Sequence, residues 1–142
     1  MKVLVVNGPN LGRLGERQPE IYGRTTLAEL EEMLISRGKE LGLEVGCVQS
    51  DDASEVIAAV KNTDAVAVII NPASLTHYSR ALADAVAGCA AAVYEVHISN
   101  IEAREPYRRR SLITPVARGK IVGFGIRGYL LALEAVAELE ER

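Results

Sequence analysis

Lys2-Val-Leu-Val-Val-Asn7 runs directly into Gly8-Pro-Asn10-Leu-Gly-Arg13-Leu-Gly-Glu-Arg17-Gln-Pro-Glu-Ile-Tyr22-Gly23, and the reading of this junction decides the fold. The apolar run is short, Val-rich and closed by a polar residue, which is the pattern of a strand buried on both faces of a parallel sheet. The segment that follows holds four Gly and two Pro, so it is expected as a shaped lid rather than regular helix. Ligands of open parallel α/β sheets bind beyond the carboxyl ends of the strands, so this loop delivers Asn10, Arg13, Arg17 and Tyr22 to the place where a substrate sits.

Working outward, four more runs repeat the strand pattern: Glu44–Gln49, Ala65–Ile70, Ala91–Val96 and Lys120–Phe124. Between them lie helical periodicities. Leu27–Leu41 follows a Thr26-x-x-Glu29 capping box, and Ala53–Lys61 follows Asp52-x-x-Glu55. Ser79–Ala87 and Gly128–Glu141 complete the set, with Gly42 and Gly88 as helix stops. Strands separated by single helices form right-handed crossovers, so the expected product is one α/β domain over residues 1–142, a doubly wound sheet of five parallel strands in flavodoxin-like order. The acidic end Glu134–Glu141 reads as a solvated helix face.

Composition narrows the function classes. A chain of 142 residues with 49% hydrophobic content is long enough to bury a sizeable core. No apolar run approaches the ~20 residues of a membrane span, and the run that opens the chain stops at Asn7, too soon for a signal peptide, so a cytoplasmic chain is expected. Net charge −3 argues against nucleic acid as a partner. Cys47 and Cys89 lie within or beside apolar runs and are expected as reduced thiols. Two His without a Cys or carboxylate cluster do not suggest a metal site.

The polar residues at the strand exits carry the chemistry. Asn7, Asn71 and His97 end strands one, three and four and project over the same sheet edge. Glu95 and His97 share one face of strand four by the two-residue period, so the carboxylate can orient the imidazole. Arg104-x-x-x-Arg108-Arg-Arg110 reads either as a solvated basic face or as an anion site. Tyr78, Tyr94, Tyr107 and Tyr129 read mostly as packing aromatics. Gly123-Phe-Gly-Ile-Arg-Gly128 matches the spacing of a phosphate loop but follows the last strand, which weakens that reading.

Asn7-Gly-Pro-Asn-Leu-Gly-Arg-Leu-Gly15, Tyr22-Gly, Gln49-Ser-Asp51, Asn71-Pro-Ala-Ser-Leu-Thr-His77, Glu95-Val-His-Ile-Ser-Asn100, Arg104-x-x-x-Arg108 and Gly123-x-Gly-x-x-Gly-Tyr129 together resemble the type II 3-dehydroquinate dehydratases, in register over essentially the whole chain. The resemblance implies a flavodoxin-like fold, a dodecamer built of trimers, no cofactor, and the third step of the shikimate pathway: loss of water from 3-dehydroquinate through an enolate to 3-dehydroshikimate. The same reaction also serves quinate breakdown.

By this resemblance Tyr22 matches the base that removes the α-proton, and Arg17 the cation that activates it and stabilises the enolate. The unperturbed phenol pKa is ~10, and lowering it to ~7 takes about 4 kcal/mol of preferential phenolate stabilisation, for which a nearby Arg is the natural source. His97 matches the acid that protonates the leaving hydroxyl, with Glu95 behind it. Asn71, His77 and Arg108 match residues that hold the substrate's hydroxyls and carboxylate. Ile98 and Ser99 match the pair whose N–H groups grip that carboxylate, and Asn10 resembles a pocket residue near the reacting ketone. Asp84 matches an acid contributed across the trimer interface, and it faces outward if Ala81, Leu82, Ala85 and Val86 form the buried stripe. Ser74, Pro106, Tyr107 and Arg110 depart from the family's common residues, which is expected to tune affinity and leave the chemistry alone.

Two other classes stay open. A flavodoxin needs a Ser/Thr/Gly-rich phosphate loop after strand one, where this chain carries two Arg. A response-regulator receiver needs acidic residues at the exits that Asn7 and Asn71 occupy. Among enzymes, the runner-up is another α/β lyase acting on a cyclic hydroxy-ketone acid.

Overall fold

The computed structural model describes residues 1–140. Five parallel strands, β1 (Lys2–Asn7), β2 (Glu44–Gln49), β3 (Ala67–Asn71), β4 (Ala92–His97) and β5 (Gly119–Val122), stand in the order β2-β1-β3-β4-β5, the flavodoxin-like arrangement. Register places Asn7 beside both Gln49 and Asn71, and Ile70 beside Glu95, so the polar strand ends lie in a row along one edge. All five residues of β3 are buried, whereas β2 at the sheet's rim alternates between exposed and half-buried positions.

Helices cover both faces. α2 (Leu27–Glu40) and α6 (Arg127–Leu139) place Leu30, Leu34, Leu133 and Val136 against Val3, Val5 and Val96. α3 (Ala53–Asn62) and α4 (Arg80–Ala87) place Val56, Val60, Leu82 and Val86 against Val6, Val68 and Ile70. The odd and even residues of β1 therefore divide between the two cores, as the pleat requires. Cys47 packs against the first core and Cys89 against the second, and both are free thiols. Burial pushes the Cys47 thiol up to about 11, so it is a packing residue rather than a nucleophile.

Local signals hold with small corrections. Thr26 and Glu29 form the reciprocal capping box at the start of α2. At α3, Asp52 caps Ser54 N–H, but Glu55 accepts from the Ser50 hydroxyl (2.9 Å) instead of returning to the cap. Gly42 stops α2 with φ +77°, while Gly88 ends α4 in a right-handed conformation that other residues also adopt. On α4, Leu82 and Val86 are buried but Ala81 is exposed. β5 ends at Val122, two residues earlier than its apolar run, because Gly123 (φ +89°) turns the chain away and leaves Phe124 exposed. Glu141, expected at the end of the last helix, lies outside the described residues. Among the described residues no helix is long and apolar enough to cross a membrane.

Candidate active site

The lid is built from short turns. A 3-10 turn at Leu11–Arg13 and a four-residue helix α1 (Pro19–Tyr22) occupy the segment expected to lack helix. Pro19 sits at the first helical position, where its missing N–H costs nothing, and Gly23 (φ +81°) ends the helix within one turn. Leu11 and Leu14 anchor the lid into the core. Its base is pinned by the end of β2: Asn10 N–H donates to Asp51 Oδ1 (2.8 Å), and Gln49 Nε2 donates to the Gly8 carbonyl (3.2 Å). That is what the Gln49-Ser-Asp51 motif does. Asn10 (φ 71°) and, after β3, Ala73 (φ 52°) adopt left-handed backbone; both border the same cavity, where such strain concentrates.

That cavity measures about 420 Å³ and lies beyond the carboxyl ends of β1, β3 and β4. Arg13, Arg17, Arg104 and Arg108 line it together with His77 and His97, and among the described residues no Asp or Glu does. A cationic pocket in a chain of net charge −3 is built for an anion of small-metabolite size. Of the expected site residues, Asn10, Arg17, Tyr22, Asn71, His77, His97, Ile98, Ser99 and Arg108 all border it. Glu95 does not; it is wholly buried behind His97. Asp84 does not either, standing exposed on α4. Asn7 is buried beneath the cavity instead of facing it.

Tyr22 reaches the cavity from α1, and its hydroxyl accepts a hydrogen bond from Arg104 Nη2 (3.0 Å), which also donates to Ser99 Oγ (3.0 Å). The cation bonded to the phenol is thus Arg104, where Arg17 was expected; Arg17 lines the cavity and is exposed. Arg104 leads into α5 (Pro106–Arg109), and Arg109 Nε holds its carbonyl (2.8 Å). Arg108 lies over the Tyr107 ring at 5.3 Å.

Two hydrogen bonds orient the histidines. His77 Nδ1 donates to the Arg110 carbonyl (2.7 Å), an acceptor only, leaving Nε2 as its other ring nitrogen. His97 Nε2 bonds Glu95 Oε2 (2.5 Å), and among the described residues Nδ1 has no hydrogen-bond partner. Burial alone pushes the Glu95 carboxyl up, but the bonds from His97, Ser111 and Thr114 outweigh it and hold it at about 2, so Glu95 is an ionised acceptor.

Two readings of the sequence change role. Tyr129 is not simply a packing aromatic: its buried hydroxyl donates to Asn7 Oδ1 (2.6 Å) and accepts from Asn71 Nδ2 (2.9 Å), while Asn71 Oδ1 accepts from Ala73 N–H (3.1 Å). Asn71 is thereby oriented from behind. The glycine-rich turn is no phosphate cradle, because Gly123 and Gly125 N–H donate to the His97 and Ile98 carbonyls (3.1 and 3.0 Å). It fastens the exit of β4. Among the described residues no group of three His, Cys, Asp or Glu could hold a metal ion.

The Dehydroquinase class II family model matches residues 1–137. The chain belongs to this family. It is 54% identical over 144 residues to the 3-dehydroquinate dehydratase 2 of Corynebacterium efficiens, covering 99% of each chain. It is 51% identical over 139 residues to the 3-dehydroquinate dehydratase of Salinispora arenicola, covering 96% of this chain and 97% of that one. The crystal structure of type II dehydroquinase from Propionibacterium acnes superposes with TM-score 0.94 at 46% identity, covering 96% of both chains. The class II dehydroquinase fold therefore extends over the cavity and every element that borders it.

Proposed function

We propose that this class II dehydroquinase removes water from 3-dehydroquinate to give 3-dehydroshikimate, the third step of the shikimate pathway, with residues 1–142 acting as one catalytic domain. The observation that carries the reading is the cavity lined by four arginines, two histidines and three tyrosines, Tyr22 among them, with no carboxylate among the described residues. Such a site takes a small carboxylate and stabilises negative charge that develops on it.

Tyr22 removes the proton α to the ketone. Arg104, donating to the phenolic oxygen, stabilises the charge that develops there, and Arg17, on the lid, approaches the enolate. Asn10 lies beside the reacting ketone. His97 delivers a proton to the departing hydroxyl while Glu95, behind it, holds the ring and its charge. Ile98 and Ser99 bind the substrate carboxylate, and Asn71, His77 and Arg108 its hydroxyls and carboxylate. No cofactor takes part.

The active form is a dodecamer built of trimers, in which Asp84 completes a neighbour's site; its exposure on α4, outside its own chain's cavity, supports this role. A cytoplasmic setting suits the two free thiols. Incubation with 3-dehydroquinate, followed by the absorbance of the conjugated enone, tests the assignment. Product is expected without added metal or nucleotide, and a folded, assembled sample that makes none overturns it.

A further inference from the structure

Glu95 has more partners than the acid alone requires. Its Oε2 accepts from His97 Nε2 (2.5 Å), Ser111 Oγ (2.7 Å) and Thr76 Oγ1 (3.0 Å), and its Oε1 from Thr114 Oγ1 (2.7 Å). These donors come from three places: β4 itself, the 3-10 turn Ala73–His77, and the segment following the arginines of α5. Ser111 is the junction. Its oxygen accepts from the backbone N–H of Ile113 (3.1 Å) and Thr114 (3.2 Å) and touches the Thr76 hydroxyl. With both lone-pair positions engaged, its one hydrogen is directed to Glu95. Neither Ser111 nor Thr114 borders the cavity.

An imidazole held through a single hydrogen bond is only as well oriented as the acceptor that holds it. A carboxylate anchored at one oxygen swings about its terminal torsion, which is broad and soft. Anchored at both oxygens from separate segments, it cannot turn without breaking several bonds at once. We propose that Ser111, seconded by Thr114, is a positioning residue for the dehydration step, fixing Glu95 so that His97 presents Nδ1 to the departing hydroxyl. The inference rests on the assignment of His97 as the acid. It concerns one half of the reaction, because the partners of Tyr22 and of Glu95 are different groups.

The two halves can be measured on one sample: exchange of the substrate's α-proton with solvent deuterium reports Tyr22, and enone formation reports His97. Ser111→Ala is expected to slow enone formation about 10-fold or more while exchange stays within about twofold, the size of loss typical when the partner orienting a histidine is removed. Ser111→Thr, which keeps the hydroxyl, restores product formation. Thr114→Val, nearly isosteric at an exposed position, carries the same test with smaller amplitude should Ser111→Ala fail to fold. His97→Ala is the reference. If it separates exchange from product formation but Ser111→Ala and Thr114→Val lower both together, or neither, the inference is overturned while the acid assignment stands. If His97→Ala itself loses both, the acid assignment falls and the inference with it.

Discussion

Tyr22 and Arg104 lie 82 positions apart and meet at 3.0 Å, and the proposed role of Tyr22 as the base turns on that contact. Tyr22→Phe keeps the ring and deletes the proton acceptor, so kcat is expected to fall at least ~10³-fold with the melting temperature unchanged; a kcat near that of the parent moves the base elsewhere. Arg104→Ala removes a donor from the oxygen that becomes negative and is expected to lower kcat at least ~10²-fold. A rise in KM alone would make Arg104 a binding residue. Most of the pocket was legible in the sequence because the exits of β1, β3 and β4 must share an edge, and the two-residue period already paired Glu95 with His97. Arg104 stood in a quoted motif without a role, since spacing cannot tell which of several arginines reaches a phenol. Thr76 likewise stood in a quoted motif without a role, and Ser111 and Thr114 carried no signal at all: isolated hydroxyl residues are common, and only the fold brings these three to one carboxylate.

At the scale of elements, the strands and helices were readable from periodicity and caps, and the errors fall where tertiary packing overrides local pattern. α1 formed inside a Gly- and Pro-rich loop because one turn needs only a Pro at its start and a Gly at its end. β5 stopped at Val122 because Gly123 and Gly125 turn back to bind the exit of β4. The exits of β1 and β3 approach closely at Gly8, whose N–H donates to the Asn71 carbonyl (2.9 Å) and where an added Cβ would stand 2.7 Å from the Pro72 carbonyl oxygen. Backbone on both sides leaves nothing to move aside. Gly8→Ala is expected to destabilise the fold by about 1–3 kcal/mol, read as a lower urea midpoint, and to raise KM by displacing Asn71. An unchanged midpoint would mean that the β1 and β3 exits are not packed this tightly.

Two properties belong to the molecule as a whole. Burial pushes the Tyr94 phenol up to about 12, reinforced by Glu140, to which its hydroxyl donates (2.6 Å), and opposed by Arg118. A folded-state value above the unfolded ~10 contributes stability that is complete below pH ~10 and is lost as pH rises toward about 12. The urea midpoint is therefore expected to fall over that interval, less steeply in Tyr94→Phe; Tyr129 and Cys47, also shifted upward by burial, contribute to the remaining slope, and an identical slope in Tyr94→Phe would refute the assignment. The second follows from the proposed assembly. Asp84→Ala and Tyr22→Phe subunits are each expected to be impaired, yet in the proposed assembly trimers mixed from both would contain sites with an intact Tyr22 beside a neighbour's intact Asp84. Activity should reappear on mixing; a fully active Asp84→Ala homomer, or no recovery despite demonstrated subunit exchange, excludes the shared site. The strand order has a last consequence, for a chain still being synthesised. Once Asn71 has left the ribosome β2, β1 and β3 can pair, and β3, buried at every residue in the finished protein, is then an unpaired apolar edge until β4 emerges. For that interval the nascent chain displays an aggregation-prone edge, directly beside the unfinished pocket.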